Sequence, residues 1–150
     1  MDDKTLNENL LDVLHNTRHI TIATVCADGA PRCTPIGWWA FDDEKGRIVF
    51  DNRQGTIHAD NLARDPRCFI AIVNYDQEHS RSVNIQTRVR KLTGAEYDAA
   101  KKLILDKGLK INDDIFTAPI GEIDKKKTRT DTRDDGSRRF YCYTVYKETK

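Results

Sequence analysis

Apolar residues recur at helical spacing at Leu6, Leu10, Val13 and Leu14, just behind Thr5-x-x-Glu8. That pattern predicts a helix opened by a capping box and stopping near His15 to Thr17. The period then drops to two. "ITIATV" alternates branched and small residues, Asp28-Gly29 is a turn dipeptide, and "CTPIGWWAF" resumes extended character, which together predict a hairpin. Beyond the turn "DDEKG", "RIVFDN" and "RCFIAIV" read as the third and fourth strands. The fifth, "SVNIQTRVRKL", places Val83, Ile85 and Val89 on one side and Asn84, Gln86, Arg88 and Arg90 on the other. A second capping box, Thr93-x-x-Glu96, opens a helix carrying Tyr97, Ala100, Leu103 and Ile104, with Gly108 in the place of a C-cap. "RRFYCYTVYKE" is the sixth strand. From about Asn112 to Ser137 the chain is polar with interleaved charges of both signs, and the expectation there is a solvated, partly mobile loop. No repeat or boundary interrupts residues 1–150, so one domain is expected. Six strands joined mostly by short turns do not alternate as βαβ units. The fold class expected is mainly β (α+β), an antiparallel barrel or strongly coiled sheet with flanking helices.

Charge narrows the function. Lys and Arg number 25 against 24 Asp and Glu, so no general field draws the chain to nucleic acid or to an anionic membrane. Any anion site must be local. Runs such as "CFIAIV" fall far short of the ~20 residues of a membrane helix, and the first residues are acidic where a signal peptide is basic. The expectation is a soluble cytoplasmic protein. Cys26, Cys33, Cys68 and Cys142 form no CxxC pair and read as small buried thiols. His15 and His19 are four apart, but a strand begins at about His19, so no metal site is expected.

The segment "DNRQGTIHADNLARDP", Asp51 to Pro66, passes from a strand end straight into a helical turn. If Thr56 caps that turn, its hydroxyl, the free N–H groups at the helix start and His58 point to one place, where a phosphate could be held. A cap threonine and a surface histidine explain the same residues without a ligand.

The order of elements from "TIATVCADGAPRCTPIGWWAF" through "GRIVFDNRQGTIHADNLARDPRCFIAIV" resembles the FMN-binding split-barrel proteins related to pyridoxamine 5'-phosphate oxidase. The carrying motifs are the DG-x-P turn and a Ser/Thr-x-Lys/Arg-x-x-Asn-Leu segment closed by Asp/Asn-Pro, here Thr56 to Leu62 with Asp65-Pro66. The resemblance covers about Arg18 to Lys107. It implies a six-stranded antiparallel split barrel and a homodimer with the flavin at the subunit interface. It further implies that Thr56 and His58 contact the FMN phosphate with Arg53 as an auxiliary. Thr34, Pro35, Ile36 and Gly37 would lie along the flavin, Asp51 and Asn52 would meet its ring or ribityl chain, and Ser82 would add a polar contact. The oxidase proper has an arginine where this chain has Thr34, and basic residues where it has Ile57 and His58, which points to a small general-stress or flavin-reductase-like member.

Trp38 and Trp39 are neighbours on a strand and so face opposite ways, one toward the core and the other toward an interface or a flat ligand. No constellation demands a protein nucleophile. Three readings follow: an FMN-dependent oxidoreductase with an unidentified small-molecule redox substrate, a flavin-binding or flavin-storing protein without turnover, and a binder of another planar cofactor such as haem or deazaflavin.

Overall fold

A computed structural model describes residues 2–75 and 78–148. The chain runs α1 (Asp3–Asn16), β1 (Ile20–Val25), β2 (Pro31–Ile36), β3 (Trp39–Asp42), β4 (Arg47–Asn52), α2 (Ile57–Arg64), β5 (Arg67–Tyr75) and β6 (His79–Arg88). It continues with β7 (Arg90–Lys91), α3 (Gly94–Asp106), β8 (Asp114–Pro119), β9 (Glu122–Ile123), β10 (Arg129–Thr132) and β11 (Arg138–Val145). The larger sheet has the order β10-β11-β6-β5-β1-β2, with β9 beside β11, and the smaller one β3-β4-β8-β7. The two sheets stay open, giving a mainly β split barrel with flanking helices, as the pattern and the resemblance together imply, though with eleven strands among the described residues where six are expected. No helix among the described residues is long and apolar enough to cross a membrane.

The main core, with Ile22, Trp39, Phe50, Ile70 and Ile85, is shared by both sheets and closed by the Leu6, Leu10, Val13 and Leu14 face of α1. A second cluster packs Ala100 and Ile104 of α3 against Ala40, Val49 and Ile115 of the smaller sheet. β4 therefore lies between two apolar layers and is buried along its whole length, which explains why "RIVFDN" shows no alternation. Arg47 within it is neutralised by Asp42 (Nε to Oδ2, 3.2 Å) and by Glu96 of α3 (Nη1 to Oε2, 3.0 Å).

Several expectations need correction. "CTPIGWWAF" is two strands: β2 ends at Ile36, and Gly37-Trp38 carries the chain into the other sheet as β3. Gly37 lies against the His19 ring there, which a Cβ would meet at 3.4 Å, an ordinary contact distance. Residues 112–137 are not a plain loop. They contain β8, β9 and β10, and β8 is buried because it pairs with β4 on one side and β7 on the other. The pairing is also not wholly antiparallel, since β11 runs parallel to β6. Neither capping box forms. Asp2 caps α1 by accepting the Thr5 N–H at 2.8 Å, and a carboxylate suits the positive end of the helix. At α3, Thr93 makes no side-chain cap bond and Glu96 is drawn away by Arg90 and then Arg47, which hold its carboxyl down at about pKa 2.

Candidate functional site

Where the chain changes sheets, Pro35, Ile36, Gly37 and Trp38 form one wall of an open groove of ≈ 170 Å³. Asp51 and Arg53, at and just past the end of β4, form the other, and His58 in the first turn of α2 closes it. Three separate elements thus bring six of the ten sequence-derived candidates together, with Trp38 as a seventh lining residue.

α2 is held in place by its own chemistry. Thr56 is its N-cap, and the hydroxyl accepts the Ala59 N–H at 3.3 Å while donating to the Arg53 carbonyl at 2.8 Å. His58 Nε2 lies 3.3 Å from the same hydroxyl. The N–H groups of Ile57 and His58 make no hydrogen bond to a described residue, so the positive end of the helix is open beside the groove. Asn61, buried under the helix, donates to Thr24 Oγ1 at 3.0 Å and accepts from Arg64, which pins α2 to β1. Burial first, and then the charge of Arg32, hold the pKa of His58 below its ordinary 6.5, which favours the uncharged ring.

Arg32 is the basic residue that reading the sequence misses. It stands two residues before Thr34 on β2, opposite Thr24, and Thr34 is opposite Ile22, so both side chains take the face toward α2. Period-two counting from Thr34 gives this signal. Thr34 itself is half-buried and does not line the groove.

Asp51 is anchored elsewhere: its carboxylate accepts the Asn112 backbone N–H at 2.7 Å and the Asn112 side-chain amide at 3.0 Å. Desolvation raises its pKa against those hydrogen bonds. Asn52 shares the face of Ile48 and Phe50 toward the main core, and both polar atoms of its amide are buried without a partner among the described residues. Ser82 is farthest away, on β6, three strands from β2 and opposite Val73 and Tyr141. The groove and Ser82 do not meet within one chain.

The two tryptophans divide as their alternation requires. Trp39 is wholly buried, donates from Nε1 to the Arg18 carbonyl at 3.0 Å and has Lys107 Nζ 4.7 Å from its ring centroid. Trp38 is the one at the groove. All four cysteines are free, and Cys33 is exposed rather than buried. Among the described residues no three His, Cys, Asp or Glu side chains gather as a metal site.

Similar folds are found among solved structures. A haem-binding protein from Mycobacterium smegmatis superposes with a TM-score of 0.63 at 24% identity, covering 75% of this chain and 50% of that one. The chain therefore spans about half the length of that relative. HutZ, a haem storage protein from Vibrio cholerae, gives 0.60 at 15% identity over 76% of this chain and 89% of its own. An F420 reductase gives 0.56 at 15% identity over 72% and 90%. No curated protein matches the sequence. The family model described as pyridoxamine 5'-phosphate oxidase matches residues 6–112, well over half of the chain, and the protein belongs to that family.

Proposed function

We propose that the protein is an FMN-binding homodimer acting as a flavin-dependent oxidoreductase on a small-molecule substrate. The observation that carries this reading is the groove itself, where Pro35, Ile36, Gly37, Trp38, Asp51, Arg53 and His58 meet. Its donor chemistry fits a phosphate at one end: the open N–H groups of α2, His58, Arg53 and the nearby charge of Arg32. Its other end is flat and apolar, with Trp38 beside Pro35 and Ile36, and suits a ring system. Bound FMN would supply the redox chemistry, while these side chains bind, orient and shield it from water.

Size argues for a second copy. A groove of ≈ 170 Å³ is smaller than the ~300 Å³ at which ligand pockets begin, so one chain covers only part of a flavin. On the outer face of the larger sheet, Phe69, Val73 and Tyr75 of β5 are exposed, and Ser82 opposes Val73 on the same face. A partner packed on that face would bury these apolar groups and supply the wall that the groove lacks.

A second reading takes haem or a deazaflavin, as the names of similar structures suggest, and one observation favours haem. His58 lines the groove with its pKa held down by burial, and His19 lies against Gly37, so either imidazole could hold a haem iron. The visible spectrum of the purified protein separates the readings. Flavin bands released as FMN on denaturation support the first, and a Soret band overturns it. Steady-state oxidation of NADH or NADPH with an added acceptor then distinguishes an enzyme from a flavin store.

A further inference from the structure

The wall of the groove formed by Asp51 and Arg53 is held from outside by the stretch between α3 and β8. Both oxygens of Asp51 accept from Asn112, Oδ1 from the backbone N–H at 2.7 Å and Oδ2 from the side-chain amide at 3.0 Å. Asp113 Oδ2 accepts the Gln54 N–H at 3.0 Å, and Asp114 Oδ2 accepts the Gln54 side-chain amide at 3.3 Å. The same stretch is fixed to α3, where the Tyr97 hydroxyl donates to the Asp113 carbonyl at 3.0 Å. Arg53 therefore stands between two residues tied to one strap.

Asp51 is also tied to the opposite wall, since its backbone N–H donates to the Trp38 carbonyl at 2.9 Å. That puts Asp51 at the Trp38 end of the groove, whereas Arg53, whose carbonyl accepts from Thr56, lies toward α2 and His58. Burial disfavours the charged form of the Asp51 carboxyl, the bonds from Asn112 favour it, and the charge of Asp113 opposes it. The cations nearby are engaged or stand apart: Lys107 donates to the Trp39 carbonyl at 3.1 Å, Lys91 pairs with Asp114 at 3.2 Å, and Arg53 and His58 are at the phosphate end. Asp51 forms no ion pair among the described residues. Its charge is sustained by hydrogen bonds alone, and Asn112 supplies the side-chain one.

On the FMN reading given above, we propose that Asn112 is a positioning residue that keeps Asp51 an anion beside the flavin ring, and that this fixed charge favours oxidised over reduced FMN. Reduction delivers two electrons and one proton to FMN at pH 8 and so adds a negative charge to the ring system. A carboxylate held nearby opposes that charge. The groove then divides its tasks. Arg53, His58 and the N–H groups of α2 meet the phosphate, and Asp51 with Asn112 makes the ring a stronger electron donor.

Two measurements on the full chain test this. In the ligand-free protein, carboxyl-carbon NMR should show Asp51 ionised at pH 8, and its titration should move to higher pH in Asn112→Ala and return toward the wild-type position in Asn112→Gln, which keeps the amide. Dissociation constants for oxidised FMN and for FMN reduced with dithionite, both at pH 8, should then show Asp51→Asn shifted about tenfold toward the reduced form. Two unit charges about 10 Å apart at an effective dielectric of about 20 interact by roughly the energy of a tenfold change. If Asp51→Asn melts early, Asp51→Ser carries the same comparison. An Asp51 that titrates alike in wild type and Asn112→Ala, or is un-ionised at pH 8, would overturn the role of Asn112. FMN bound with an unchanged ratio in the Asp51 variants would overturn the effect on the ring and leave the FMN reading standing. A wild-type protein that binds no FMN would remove both.

Discussion

Replacing His58 by lysine should change FMN binding in a way that depends on pH. In the free protein, burial and Arg32 together hold the His58 pKa below 6.5, so at pH 8 the ring offers a bound phosphate only a neutral donor. A phosphate dianion beside it stabilises the imidazolium and raises that pKa in the complex. The contribution of the charge to affinity is then fully present below the free-state pKa and fades as pH rises through the bound-state value. Phosphate protonation below about pH 6 opposes the gain on the acid side. Without ligand the sign reverses: the depressed pKa means that folding stability from neutral His58 is present above 6.5 and is lost as pH falls below it. A lysine stays charged throughout. A hydrogen bond from a charged donor contributes about 1.5–3 kcal/mol and a neutral one about 0.5–1.5. The gain at pH 8 is therefore about 1 kcal/mol, roughly fivefold in Kd, reduced somewhat by repulsion from Arg32. As pH falls toward the free-state pKa of His58 the two proteins should converge in affinity. Flavin-fluorescence titrations from pH 6 to pH 8.5 measure this, and proton NMR of the ligand-free protein checks the premise. His58 should titrate below 6.5, and Arg32→Gln should move it up without restoring it fully, because burial is the larger cause. An affinity that is flat with pH and unaltered by His58→Ala would remove His58 from the phosphate end.

The outer face of β5 should be a dimer contact, so Val73→Glu should convert a dimer to a monomer in sedimentation while leaving the fold intact by circular dichroism. A wild-type monomer at micromolar concentration would defeat the dimer. Trp39→Leu should cost about 2–4 kcal/mol in chemical unfolding, through lost packing and the lost bond to the Arg18 carbonyl. Trp38→Leu should cost less than about 1 kcal/mol yet weaken FMN binding, and the reverse ordering would show that their roles are exchanged. Mild proteolysis should cut in the exposed turns around Lys125–Lys127 or Asp134–Gly136 and spare β8, and first cleavage within residues 114–119 would contradict its place between β4 and β7.

What the sequence makes legible is local. The Leu6 to Leu14 stripe, the Asp28-Gly29 hairpin, the alternation of Val83, Ile85 and Val89, and Gly108 at φ +77° each follow from residues close in the chain. What it hides depends on distant partners. "DIFTAP" opens on an aspartate and ends in a proline, so it does not announce a strand, and it becomes one because β4 and β7 each offer it a ladder. Glu96 reads as a cap until Arg47, far back in the sequence, takes it. At the groove, Pro35 to Gly37, Arg53 and His58 are legible through motif resemblance, whereas the hold of Asn112 on Asp51 comes from a long-range approach that no spacing encodes. Arg32 was within reach of simple alternation.

The two free margins of the larger sheet are blunted in different ways, and this bears on how copies of the chain can associate. β2 carries Pro31 and Pro35, which lack the N–H that an added strand would need. β10 is four residues long, fully exposed and charged at Arg129 and Asp131. Short, charged or proline-bearing borders resist the strand-to-strand growth that leads to continuous intermolecular sheets and aggregates. In the proposed dimer, association is thereby directed away from the borders and onto the broad surface of β5 and β6, where side chains would make the contact and a two-fold assembly would close instead of propagating.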